Sequence, residues 1–547
     1  WIVLVGNAGH LAVEARLRVL WGVNPSSSGI HLVPWIQAAQ RAGARLVAID
    51  PRATPLAKQA DLHLALRPGT DLQLALAIHR HLFTSGAADL DFLDSAASGW
   101  RPLRDRAAEW TIERAAAVCD VPTADLETFA RWYAEISPAV VRSGWGLERN
   151  RLGGSACAAV LALPAVAGKF GVRGGGYTAS NSAAQPLVPW ADPARSSPAP
   201  DADRPSPRVI NQNRVGRELL AQDATGAPKI RGTFVYNHNP IATLPRQDLV
   251  RRGFEREDLF TVVFDCVATD TARYADVVLP ATTFLEHRDL KRAYGAYVLA
   301  AVEPAMPPRG EARSNVEVFA ELLRRTGLAR PDDPLDAEAW SRHMRDQLSP
   351  DARRALEREG IATPVVGDRP VQMVDVRPQT PDGKIHLFPA ALDAEAPAGL
   401  YAVAPPAADR AAGEDGDGAA GTAVDRGGEV ADGPLVLISP ADRRAISSTL
   451  FERVRKPPGL DIHPDDAATR DIATGAEVRV FNRFGEVRTW ARVTHDVRPG
   501  VVSLAKGLWD RHTRSGTTAN VLAPDTLTDL GGGACFNDAR CEVTLDA

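Results

Sequence analysis

The sequence predicts an α/β protein built of two doubly wound units followed by a C-terminal β-barrel. Three observations carry this. Short, almost continuously apolar β runs alternate with helical segments over the first ~85 residues, and the alternation restarts at Lys229, as in parallel sheets covered by helices on both faces. Beyond residue 434 the texture becomes apolar–polar alternation around a tight turn, which marks a hairpin in a compact β domain. A length of 547 residues suits several domains rather than one.

The elements follow in order. RLRVLW (16–21) reads as a strand, 24–29 as a loop, and 30–42 as a helix ended by Gly43. RLVAID (45–50) and LHLAL (62–66) are further strands, and RPGTD (67–71) turns into a helix over 71–83. The first unit is expected over 1–185, with an Ala-rich helical insertion at 86–135. PAVVRSG (138–144) resumes the β pattern, 155–170 reads as a helix, and RGGGY (173–177) as flexible backbone. Residues 186–228, rich in Pro, Ser, Asp and Arg, are expected as an exposed loop. The second unit is expected over 229–400, with strands in GTFVYNHNP (232–240), LFTVVFD (259–265) and ADVVLP (275–280). Residues 401–434 have the composition of a disordered linker. Residues 435–547 form the barrel, with a hairpin in EVRVFNRFGEVRTWARVTH (477–495).

Composition excludes some functions. A net charge of −5 and a pI near 6.2 give no footprint for nucleic acid and no polybasic membrane patch. No apolar run reaches the ~18–20 residues that span a bilayer. Five scattered cysteines without a CxxC pair argue against a disulfide framework and against a zinc or iron–sulfur site within this sequence. The chain opens on Trp1 and runs straight into WIVLVG, without a charged n-region or twin-arginine pair. The expectation is a truncated start, which leaves cytoplasmic and periplasmic locations both open.

Ligands of parallel α/β sheets bind beyond the carboxyl ends of strands. Three consecutive strand ends carry suitable groups: Trp21-Gly22-Val23-Asn24, Asp50-Pro51-Arg52 and Gly69-Thr70-Asp71. Glycine lets backbone approach a ligand, carboxylates accept from ribose hydroxyls or a guanine edge, and Arg52 suits a phosphate. Each alone is also ordinary turn or cap chemistry; three on one sheet favour a nucleotide. Gly144, Gly146, Arg149 and Asn150 form a fourth such loop. In the second unit, Asn237-His238-Asn239-Pro240 mirrors Val23-Asn24-Pro25, and Asp265, Thr269 and Asp270 mirror Asp50 and its neighbours. Glu286, His287 and Arg288 read as structural.

In this order, WGVNP, IDPR, RPGTD, GWGLERN, YNHNP and FDCVATDTARYADVVLPATTFLE resemble the core of the molybdopterin oxidoreductase (dimethyl sulfoxide reductase) family. IHPDDAATRDIATGAEVRVFNRFGEVRTWARVTHDVRPGVV and NVLAPDTLTDLGGGACFND resemble its C-terminal domain, a double-psi barrel of the aspartate-decarboxylase type. The resemblance implies a large catalytic subunit with a bis-molybdopterin guanine dinucleotide carrying molybdenum or tungsten. It implies that Trp21, Gly22, Asn24, Asp50, Arg52, Gly69, Thr70 and Asp71 serve one dinucleotide, and Asn237, Asn239, Asp265, Thr269 and Asp270 the other. Gly144, Gly146, Arg149, Arg444, Ser447, His463, Asn482 and Asn520 would reach pterin or phosphate. The reaction would be two-electron redox or oxo transfer on a small substrate of the formate, nitrate, sulfoxide or polysulfide class. Many family members begin with a [4Fe–4S] domain and place the metal-ligating residue a few dozen residues before the WGxNP loop. Here both are expected only in a missing N-terminal region, so no catalytic residue and no protein metal ligand is assigned. An iron–sulfur electron-transfer subunit and a membrane-anchor subunit are the implied partners. The rival reading is a structural subunit of a respiratory complex I-like assembly, which shares the fold without molybdenum.

Overall fold

The computed structural model describes residues 14–179, 208–221, 228–292, 298–363, 370–403 and 433–546. The first unit is a five-stranded, wholly parallel sheet. Its strands are β1 (Leu17–Trp21), β2 (Arg45–Ile49), β3 (Leu62–Leu64), β4 (Ala139–Ser143) and β5 (Gly176–Thr178), in the order β3-β2-β1-β4-β5. Every β1 side chain is buried, as a central parallel strand requires. Helices α1 (Val33–Arg41), α2 (Asp71–Thr84) and α3 (Gly153–Val166) flank the sheet. α2 and α3 pack together with few polar positions exposed, because both lie between the sheet and the helices of 90–135. RGGGY differs from expectation: its last residues enter the edge strand β5, where Tyr177 exchanges hydrogen bonds with the Gln372 side chain.

The second unit contains a three-stranded parallel sheet, β6 (Gly232–Tyr236), β7 (Phe260–Asp265) and β8 (Val277–Pro280). One face is closed by α4 (Val215–Leu220) and α5 (Gln247–Phe254), through Leu219, Val250 and Phe254 against Val235 and Val263. α4 falls inside the segment expected as an exposed loop. Its buried Leu219 makes it part of this core, while 186–207 and 222–227 lie outside the described residues. The expected linker lies outside them as well over 404–432. The boundary at residue 400 also shifts: Met373, Ile385, Leu387, Leu400 and Tyr401 join the core of the first unit, and 385–386 pairs with 97–98.

The C-terminal region is a closed six-stranded barrel of β9 (Leu435–Ile438), β10 (Leu460–Ile462), β11 (Glu477–Asn482), β12 (Gly485–Val493), β13 (Val501–Ser503) and β14 (Ala539–Leu545). Closure removes free sheet edges, and Val478, Val480, Val487, Val502 and Val543 fill the interior. No helix among the described residues is long and apolar enough to cross a membrane.

Candidate cofactor site between the two sheets and the barrel

Two strand-end loops repeat one backbone design. Gly22 follows β1 with φ +59°, and its N–H donates to Ile49 O at the end of β2, 2.9 Å away. Asn237 follows β6 with φ +50°, and its N–H donates to Phe264 O at the end of β7, 3.3 Å away. Two residues on, Asn24 (φ −114°, ψ 88°) and Asn239 (φ −122°, ψ 76°) each precede a one-turn helix opened by proline. Asp50 follows Gly22 by 28 residues, and Asp265 follows Asn237 by 28. Each carboxylate accepts the N–H two residues ahead, Arg52 N at 2.8 Å and Val267 N at 3.3 Å. Burial raises both carboxyls above the usual aspartate range.

Polar atoms at these loops are buried and lack a hydrogen-bond partner: Asn24 Oδ1, Arg52 Nε, Asn239 Nδ2 and Thr269 Oγ1, joined by Asn150 Oδ1 from the loop after β4. Buried polar groups are nearly always satisfied. A set of donors and acceptors left open at two strand ends fits a ligand with hydroxyl, base-edge and phosphate groups. The residues present therefore suit a dinucleotide-bearing cofactor.

Other expected contacts are engaged within the protein. Trp21 is fully buried, and its Nε1–H donates to Asp71 Oδ1 at 2.8 Å. Burial pushes the Asp71 carboxyl up to about 7. Thr70 Oγ1 donates to Arg67 O at 2.7 Å. These bonds brace the third strand end from within the protein. Gly22, Gly144 and Gly146 likewise serve chain-to-chain approach. A Cβ at Gly22 would meet Leu147 N at 2.8 Å, and one at Gly146 would meet Gly22 O at 2.7 Å. Gly69 sits with φ +84° beside the Asn150 amide.

The barrel covers both loops. Ala53 N donates to Asp496 O, Arg498 N donates to Pro51 O, and Arg52 bridges to Val497 on the first side. On the second, Asp510 N donates to Asp270 Oδ2 at 2.9 Å, and Arg251 pairs with Asp510 at 2.6 Å. Asn520 Nδ2 donates to Ala242 O, and Asn482 donates to Leu522 O and Arg540 O while accepting from Phe484 N. Asn482 and Asn520 thus staple the barrel and its docking face. His463 caps the helix at 464–468 and faces His495 at 3.3 Å. The Arg444 guanidinium is bidentate on Asp442, and Ser447 is exposed with φ +51°.

Two adjoining hollows of about 490 and 670 Å³ open on the barrel beside Arg444. Between them Arg453, Arg455, Arg511 and His512 line the walls. His512 and Arg511 act electrostatically on Asp270. Sequence reading passed over these four; the basic run RVRK at 453–456 was the available signal.

A model for molybdopterin oxidoreductases matches residues 12–325, and one for the molybdopterin dinucleotide-binding domain matches 441–540. The Bacillus subtilis protein named Probable oxidoreductase YoaE is 31% identical over 97% of this chain and 75% of its own length. Dimethyl sulfoxide reductase DmsA of Escherichia coli is 26% identical over 96% of this chain and 71% of its own. The acetylene hydratase of Pelobacter acetylenicus shares the fold at a TM-score of 0.75 and 17% identity, covering 99% of this chain and 80% of that one. With more than half its length matched by the family model and both strand-end loops inside that match, this chain belongs to the molybdopterin oxidoreductase family of enzymes, among the catalytic subunits of the dimethyl sulfoxide reductase type.

Proposed function

We propose that the chain holds a bis-molybdopterin guanine dinucleotide, one nucleotide at each strand-end loop, and that the reaction runs under the barrel. The repeated loop carries this reading: a left-handed position, an Asn-Pro step two residues on and an aspartate 28 residues after the left-handed position occur once in each unit. When bound, the cofactor's molybdenum or tungsten supplies two-electron or oxygen-atom exchange with a small substrate of the formate, nitrate, sulfoxide or polysulfide class.

The chain's own residues bind, orient and exclude water. Asp50 and Asp265 accept from guanine or ribose N–H and O–H groups, and their partial desolvation strengthens those bonds. Asn24 and Asn239 offer an open amide oxygen and an open amide nitrogen respectively. Arg52 faces the barrel segment 496–498, where a phosphate would meet its open Nε. The barrel segments at 496–498 and 509–512 close over the two loops and keep bulk water from the nucleotide ends. Metal and pterin analysis of the purified protein tests the reading. Near-stoichiometric molybdenum or tungsten with oxidisable pterin is expected; their absence would support the complex I-like structural alternative.

A further inference from the structure

The ends of β10 and β12 bring two histidines together at the barrel surface. The strands run parallel with Ile462 opposite Val493, and Thr494 N donates to Ile462 O at 2.9 Å. His463 is the first residue after β10 and His495 the second after β12. His463 Nε2 and His495 Nδ1 lie 3.3 Å apart, with ring centroids 5.1 Å apart and ring planes at 78°. The His463 side chain is only 12% exposed, whereas His495 is open to solvent.

That spacing is long for a hydrogen bond, which prefers about 2.7–3.2 Å. It suits two imidazoles on one cation. With each nitrogen about 2.1 Å from a metal, the 3.3 Å separation corresponds to an angle of about 104° at the metal, close to tetrahedral. Asp465 Oδ2 lies 3.5 Å from His463 Nδ1, on a mostly exposed side chain. Ligation through Nε2 puts the ring proton on Nδ1, where a small turn of Asp465 lets its carboxylate accept it. Such carboxylate–histidine pairs orient the ring and make it a stronger ligand. Asp465 N, which donates to Nδ1 at 3.2 Å, is exposed and then turns to water. Asp496, beside His495, is held by Lys58 at 2.5 Å. Among the described residues no third His, Cys, Asp or Glu joins the pair, so the remaining positions fall to water.

We propose that His463 and His495 form an exchangeable, water-completed site for a borderline divalent cation such as Zn²⁺ or Ni²⁺. It stands whether or not the two nucleotide loops hold their cofactor. Imidazole nitrogens favour such ions over Mg²⁺, which takes oxygen ligands. The bound cation ties the two strand ends together. Asp496 O, one residue on from His495, accepts from Ala53 N, so the cation also steadies the junction with the first unit.

The test is calorimetric titration of the purified full chain with Zn²⁺, Ni²⁺ and Mg²⁺, with thermal melts and pterin content read on the same samples. His463→Asn keeps an acceptor for Asp465 N, and His495→Gln changes an exposed side chain, so both variants should fold. Wild type should take up one more equivalent of Zn²⁺ or Ni²⁺ than the double variant, and Mg²⁺ should show no such difference. Each single variant should bind that equivalent about tenfold more weakly or worse. Zn²⁺ should raise the melting temperature of wild type and leave that of the double variant unmoved. The proposal is overturned by a wild type that binds no more Zn²⁺ and Ni²⁺ than the double variant, by either single variant with unchanged affinity, or by an equal rise in melting temperature in both proteins. It is equally overturned by a His463→Asn protein that has lost its pterin, since that assigns His463 to the cofactor. Wild-type protein that takes up Zn²⁺ through the pair but carries no pterin and neither molybdenum nor tungsten contradicts the proposed function alone.

Discussion

The loops after β1 and β6 follow the same path with different side chains, and the difference shows what each must accommodate. The left-handed position is Gly22 in the first unit and Asn237 in the second. Gly22 is pressed by the neighbouring β4 loop, where Leu147 N leaves no room for a Cβ. Asn237 is exposed and asparagine tolerates that backbone, so glycine is not required. The first sheet has a fourth strand-end loop packed on its first; in the second sheet β6 is the edge strand, and no strand pairs with it on that flank among the described residues. The backbone device is set by the shared role, and the residue identity by what lies next to it.

Alanine at both positions should break the likeness most sharply. Gly22→Ala adds a strained φ and a 2.8 Å contact, so a loss of roughly 3 kcal/mol is expected by denaturant titration. Asn237→Ala adds only the backbone penalty, about 1 kcal/mol. Equal losses would contradict the packing explanation.

The third strand end supplies a pH test. Asp71 is buried, and its folded-state carboxyl, at about 7, lies above its unfolded value. The folded protein therefore binds the extra proton between the two values, and stability falls as pH rises from about 4 to about 7, then levels. Asp71→Asn keeps an acceptor for Trp21 Nε1 and removes the titration. Its stability relative to wild type should rise by a few kcal/mol across that window. A constant difference would show that Asp71 is ionised throughout.

A smaller effect is expected at the docking staple. Asn520→Ala leaves Ala242 O without its donor, a loss of about 1–3 kcal/mol. If Asn520 contacted pterin instead, cofactor content would fall with little change in stability.

Much of this was readable in the chain because the information is local. Strand ends, the Asn-Pro steps and the delayed aspartates lie within short segments, and their repetition reveals the doubling. The pairing of Trp21 with Asp71 spans 50 residues and adds a brace between two residues that the sequence offers only as ligand contacts. In the sequence Gly22 is room for a ligand and Gly144 and Gly146 punctuate a strand-end loop; only tertiary packing shows that each makes room for another loop. The return of 373–401 to the first core depends on scattered apolar residues without periodicity. Asn482 sits in the hairpin as a turn residue would, yet its amide reaches carbonyls 40 and 58 positions away.

The two-site account meets its most direct test in the pterin and guanine nucleotide released from wild type, Asp50→Ala, Asp265→Ala and the double variant, all confirmed folded. The account predicts two dinucleotides per chain in wild type, reduced content in each single variant and almost none in the double. Full content in the double variant would contradict the assignment of both loops.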